Sequence, residues 1–251
     1  MRTQYVLAIV LAALVTVAYF WLQTSQELLV PVTDWLFPSA SGILSILAFL
    51  VVHKWGFRGK FGIVHLGLFA GFFMYFLGDT IWAIYETILQ IEIPYPSPAD
   101  AIYLASYIPI AIGIVQFLWS FRSGIKRQRS FAALAVGLLF VALICAFLIG
   151  PLVVSAEDSL TKTFDVAYPV LDSMLVVLAL FMFILFRGGK MAGSWLWISL
   201  GLLLSALADI MFSMGTLQGW YYSGHPIELI YLWGSIGLGL GFVEQRGDQL
   251  V

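Results

Sequence analysis

Cysteine is almost missing from this chain: Cys145 is the only one in 251 residues. No intrachain disulfide and no cysteine-type zinc site can therefore form. Histidine is nearly as scarce, at three, and a hydrolytic zinc centre would want several beside the acids. Charged residues make up only 10%, and the net charge is −2, so no nucleic-acid footprint is expected. No lysine falls in the middle of an apolar run, which excludes a retinal Schiff base. No cofactor is expected, and the sequence leaves open whether a metal binds. Apolar residues are what the chain has in excess, at 61% with a mean hydropathy of +0.98. A soluble domain of this length needs far less.

Apolar runs of about 20 residues, long enough for a ~30 Å hydrocarbon core, recur along the chain. They lie at about 5–22, 40–56, 61–88, 98–121, 130–150, 167–187, 191–216 and 226–244. The expected fold is all-α, a polytopic membrane helix bundle of eight spans. The first run lacks a small-x-small cleavage site and is read as a span rather than a signal peptide. Loops are short and only a few residues follow the last run, so no soluble catalytic domain is expected. Of the 12 Lys and Arg, 11 fall on one side of these spans, Lys162 alone lying opposite. The positive-inside rule then puts both termini in the cytoplasm of a multi-pass plasma-membrane protein.

Landmarks recur between the two halves. Asp79 and Asp209 each stand 19 residues beyond a lysine, Lys60 and Lys190. Pro98-Ala99-Asp100-Ala101-Ile102-Tyr103-Leu104 is echoed by Pro226-Ile227-Glu228-Leu229-Ile230-Tyr231-Leu232, and Asp34-Trp35-Leu36-Phe37-Pro38 by Asp165-Val166-Ala167-Tyr168-Pro169. The offsets are 128 to 131 residues. Residues 1–121 and 130–251 read as two four-helix repeats joined by a basic cytoplasmic linker, 122–129. Four crossings return the chain to its starting side, so the repeats are parallel. Gly67-x-x-x-Gly71 and Gly237-x-x-x-Gly241 are suited to close helix contact.

The retained acids gather toward the outer leaflet. Asp79 lies ~28 Å along its helix from Lys60, and Asp100 and Glu228 open helices from the outer side. Asp172 lies one turn inside the sixth run. Asp79, Trp82 and Glu86 stand at i, i+3 and i+7, as do Asp100, Tyr103 and Tyr107. Asp209 and Phe212, and Glu228 and Tyr231, repeat the start of that spacing. Facing an ionised carboxylate to lipid is costly, so these faces should point into the bundle or a water-filled vestibule. Plainer roles remain open. Asp100 and Glu228 each follow a proline closely and suit helix caps. Trp82, Trp220 and Tyr222 suit an interfacial aromatic belt. Asp79 and Asp209 suit a structural hydrogen bond. His53 and His65 read as packing residues, whereas His225 could join the acids.

Gly78-Asp79-Thr80-Ile81-Trp82-Ala83-Ile84-Tyr85-Glu86, with Pro94-Tyr95-Pro96-Ser97-Pro98-Ala99-Asp100 and Tyr103-Leu104-x-x-Tyr107, resembles a multi-helix integral membrane region. That region is found N-terminal to bacterial diguanylate cyclases and some histidine kinases, and Arg187-Gly188-Gly189-Lys190 with Ala208-Asp209 resembles it as well. The resemblance runs from about residue 40 and implies a sensing role. No cyclase or kinase domain follows Val251, so it also implies a separate cytoplasmic signalling protein as partner.

The leading expectation is a receptor-like or sensor-like protein in the lipid bilayer. Asp79, Trp82, Glu86, Asp100, Tyr103, Tyr107, Asp209, Glu228 and Tyr231 would hold a small cationic ligand, amine or proton. Acids without basic neighbours repel anions, and aromatic faces attract cations. A secondary transporter of a small cationic solute, an intramembrane enzyme pairing Asp79 with Asp209, and a structural role stay open. Enzymatic activity is the less favoured of these. The first repeat, with the richer acidic and aromatic set, is expected to supply most of the site.

Overall fold

A computed structural model describes residues 3–120, 127–144, 150 and 158–247. Part of the expected linker (122–126), Cys145, Asp248 and Val251 lie outside the described residues. Among the described residues eight helices run in order: α1 (Thr3–Leu22), α2 (Gln26–Trp55), α3 (Lys60–Ala83), α4 (Pro98–Ser120), α5 (Arg127–Ile144), α6 (Ser159–Phe186), α7 (Ala192–Gln218) and α8 (Leu229–Gly247). A π-helical turn, Ile84–Leu89, continues α3, and a 3-10 turn, Pro226–Glu228, opens α8. No strand occurs among the described residues. Seven helices, all but α5, are long and apolar enough to cross a membrane. The architecture is that of a multi-pass membrane protein. The fifth expected run, 130–150, begins as α5, and its residues 145–149 lie outside the described part.

Six helices close a ring. α2 packs on α3, α3 on α4, α4 on α6, α6 on α7, α7 on α8, and α8 returns to α2. α5 packs against α6, and α1 packs against α8 and α2 on the outside of the ring. Leu7, Leu14, Val17 and Trp21 of α1 are each more than 60% exposed, a face suited to lipid. Tyrosines tie α1 to both ends of α8, Tyr19 donating to Glu228 and Tyr5 to Glu244.

Small residues set two of these contacts. A Cβ on Gly67 would stand 2.3 Å from the Pro109 carbonyl oxygen of α4, and one on Gly201 would stand 2.7 Å from the Gly234 carbonyl oxygen of α8. Backbones therefore meet where membrane helices without bulky side chains are able to approach. Below the cavity described next, Val51, Val64, Leu68, Ile114, Met182 and Ile198 form one buried apolar core. At the end of the bundle away from the cavity, Lys54 donates to the Gln245 and Arg246 carbonyls (3.2 and 2.6 Å), capping α8 with positive charge. His65 is fully buried there, between the Phe61 carbonyl and Gln245.

α2 is longer than the apolar run at 40–56. It begins just after Ser25 and continues through Pro31 and Pro38. Thirty residues span about 45 Å, so its first turns, with Thr33 and Asp34, extend the helix well beyond the apolar run. Prolines do not end it, as buried or membrane-embedded helices often accommodate them.

Asp158 caps α6, accepting from the Leu160 and Thr161 N–H groups and from the Thr161 hydroxyl. The Thr161 hydroxyl and these N–H groups hold its pKa below the usual value. A depressed folded pKa means that the cap stabilises above the unfolded value and stops doing so as pH falls through the folded one. Asp158→Ala is therefore expected to lower the melting temperature slightly at neutral pH. A thermal-melt pH series should show the difference from wild type closing at acid pH.

Candidate functional site

Each helix of the ring brings one acid to a common cavity. Asp34 comes from α2, Asp79 from α3, Asp100 from α4, Asp172 from α6, Asp209 from α7, and Glu228 from the turn that opens α8. The cavity has a volume of about 190 Å³. That is enough for several waters or one small solute, since a single water needs roughly 10–15 Å³ on this measure. Leu44, Phe72, Ile110, Leu175, Leu202 and Leu238 form its apolar side, which is also the top of the core. No lysine, arginine or histidine lines it among the described residues.

Tyrosines supply the donors that bases would otherwise provide. Tyr103 donates to Asp79 at 2.7 Å, and Tyr231 to Asp209 at 2.6 Å. Tyr107 donates to Asp172 at 2.5 Å and Tyr168 to Asp100 at 2.8 Å. Glu228 accepts from Tyr19, from Tyr221 at 2.7 Å and from the Gly224 N–H at 2.9 Å. A phenol satisfies a carboxylate oxygen without cancelling its charge. Asp34 and Asp172 each keep one oxygen unmatched. They are 4% and 5% exposed, and the Oδ2 of each meets no donor. Burying a polar atom without a partner costs on the order of 1–3 kcal/mol.

The two half-sites match and then diverge. The Tyr103–Asp79 bond between α4 and α3 has its counterpart in Tyr231–Asp209 between α8 and α7. Beside Asp79 stands the Ser41 hydroxyl, which donates to the Phe37 carbonyl at 3.0 Å. Beside Asp209, in the matching place, stands the carboxyl of Asp172. Asp172 and Ser41 are 131 residues apart, the same offset as Asp34 and Asp165. Asp209 thus pairs with Asp172, not with Asp79 as the expected carboxylate dyad required.

Of the nine residues expected at the site, seven line the cavity: Asp79, Trp82, Asp100, Tyr103, Asp209, Glu228 and Tyr231. Tyr107 is buried and reaches it through Asp172. Glu86 is not part of the lining. It sits in the π-turn, where the wider turn shifts it from the i+7 register with Asp79, and it accepts the Ile93 N–H at 3.1 Å. Asp100 lines the cavity and caps as well, because Ser97 and Asp100 form a reciprocal capping box at 2.6–3.3 Å. His225 accepts the Ile227 N–H at its Nδ1 and lies among Trp220, Tyr221 and Tyr222. Burial lowers its pKa, and it does not line the cavity.

Sequence reasoning did not include Asp34, Tyr75, Tyr168, Asp172 or Tyr221 in the site. A signal existed for two of them, since Tyr168 and Asp172 stand at i and i+4 on one helical face. Nor does the first half dominate, because each half contributes three of the six acids. Among the described residues no group of three His, Cys, Asp or Glu could hold a metal ion. No family model matches the chain, and neither a curated protein nor a solved structure matches it.

Proposed function

We propose that this multi-pass membrane protein is receptor-like or sensor-like, and that its acidic cavity binds a small cationic solute, amine or proton. The observation that carries the reading is the cavity lining: six acids, no base, and in Asp34 a buried carboxylate oxygen without a donor. Tyr75, Trp82 and Phe212 add aromatic faces of the kind that attract ammonium groups. The apolar residues beneath the acids, Leu44, Phe72, Ile110, Leu175, Leu202 and Leu238, support sensing over transport.

The finer architecture belongs to the same reading. Eight spans in two parallel four-helix repeats, with cytoplasmic termini, would put the cavity at the outer end. Supporting this, the Tyr–Asp bond recurs in each half, and Trp82 packs edge-to-face on Phe212, its counterpart in the other half, at 6.4 Å. Equivalent residues touch each other at a two-fold axis. The placement of 11 basic residues on one side of the spans supports the orientation and a plasma-membrane location. The resemblance to membrane regions preceding diguanylate cyclases supports sensing, with a separate cytoplasmic signalling protein as the output.

Thermal stability of the purified protein in mild detergent tests the binding claim. Ligand at 100 times its Kd stabilises by about 2.7 kcal/mol. A panel of methylammonium, longer primary amines and diamines should contain at least one compound that raises the melting temperature. Asp34→Asn or Asp79→Asn should remove the rise. Melting curves indifferent to every amine and to pH would refute the reading.

A further inference from the structure

The contact between Asp172 and Asp209 assigns the cavity a second kind of site. Asp172 is 5% exposed, its Oδ1 takes the Tyr107 hydroxyl, and its Oδ2 has no donor. Its carboxyl faces the carboxyl of Asp209, which lines the same cavity and whose Oδ1 takes Tyr231. Two ionised carboxylates offer four acceptor oxygens and no hydrogen, so side by side they repel. The same contact becomes a hydrogen bond when one proton lies between them.

The other half of the ring supplies an internal comparison. Where the carboxyl of Asp172 stands beside Asp209, the neutral hydroxyl of Ser41 stands beside Asp79, donating to the Phe37 carbonyl at 3.0 Å. That half-site sets no second carboxyl against the first, whereas the Asp172–Asp209 half-site lacks one hydrogen. The groups around the pair do not provide a countercharge. Tyr75 of α3, Tyr107 of α4, Tyr168 of α6 and Tyr231 of α8 surround it, all neutral phenols. The acid of α2, Asp34, interacts with Glu228 and Glu86 instead.

We propose that Asp172 and Asp209 form a proton-binding subsite in which a single proton is shared between the two carboxyls. The proposal rests on the reading of the cavity as a cation site and names the cation for one part of it. The proton arrives from cavity water and returns there, so no other reactant is needed. A protein built in this way reports pH at the pair and leaves the Asp34 side of the cavity for a solute.

Infrared spectroscopy of the full chain in lipid counts protonated carboxylic acids directly, by a carbonyl band that shifts in heavy water. At neutral pH, Asp172→Asn and Asp209→Asn should each remove one carboxylic-acid equivalent. The double variant should remove the same one and no more, because the proton is shared. Two independently protonated acids would lose two equivalents in the double variant, and two ionised acids would lose none; either result overturns the proposal. In the wild-type protein the equivalent that the double variant lacks should be lost in a single step as pH rises. A wild-type spectrum without an exchangeable carboxylic-acid band would also overturn it. Because no solute is added, failure of amines to stabilise the protein would count against the cavity reading alone.

Discussion

Glu228→Ala is expected to destabilise the bundle by roughly 3–5 kcal/mol, since each buried donor left unmade costs about 1–3 kcal/mol. Glu228 is the acceptor for three donors at once: the hydroxyls of Tyr19 and Tyr221 and the Gly224 N–H. Tyr19 is fully buried, so its hydroxyl has no water to turn to. The loss should unfasten α1 from α8 and free the turn that opens α8. Glu228→Gln keeps the shape and one acceptor oxygen, and a loss of about 1–2 kcal/mol is expected. Reversible denaturation in detergent micelles, followed by circular dichroism, measures both. An alanine variant within 1 kcal/mol of wild type would contradict the assigned network.

The second large effect is steric. A Cβ at Gly67 meets the Pro109 carbonyl oxygen at 2.3 Å and Gly113 at 3.0 Å, both backbone. No side-chain rotation relieves such an overlap, so α3 and α4 must separate. Gly67→Ala should cost about 1–3 kcal/mol, the usual range for overpacking, and Gly67→Val more. Gly201→Ala, at the α7–α8 contact, should behave alike, since it meets Leu238 and the Gly234 carbonyl at 2.6 and 2.7 Å. Gly247→Ala, with nothing within 4 Å, is the control and should melt as wild type does. The Gly67 variants should also weaken the Tyr103–Asp79 bond, which crosses the same pair of helices.

Helix existence was legible because a membrane-length apolar run leaves the backbone few alternatives. The pairs Asp79–Tyr103 and Asp209–Tyr231 were visible as recurring landmarks before any contact was known. What escaped was of two kinds. Local rules hid Asp34 and misplaced Glu86: prolines and a polar turn made the start of α2 read as loop, and a π-turn altered the helical period after Ala83. Through-space neighbours hid Asp172. Periodicity gives the face of α6 that carries it but not which helix that face meets, so its approach to Asp209 could not be read. The imbalance expected between halves came from counting acids along each helix. The ring uses one acid per helix, and by that measure the halves are equal.

The two tyrosines of α1 have a consequence for how the chain is made. Tyr19 finds Glu228 across 209 residues of sequence, and Tyr5 finds Glu244 across 239. During synthesis the first helix enters the membrane long before its main partner, the last helix, has left the ribosome. Until then its phenols lack those acceptors and its inner face has only α2 to lean on. The ring therefore closes when α8 reaches α2, and α1 docks on that pair only after α8 has been made. Truncations within α8 should leave α1 as an orphaned span open to quality-control proteases.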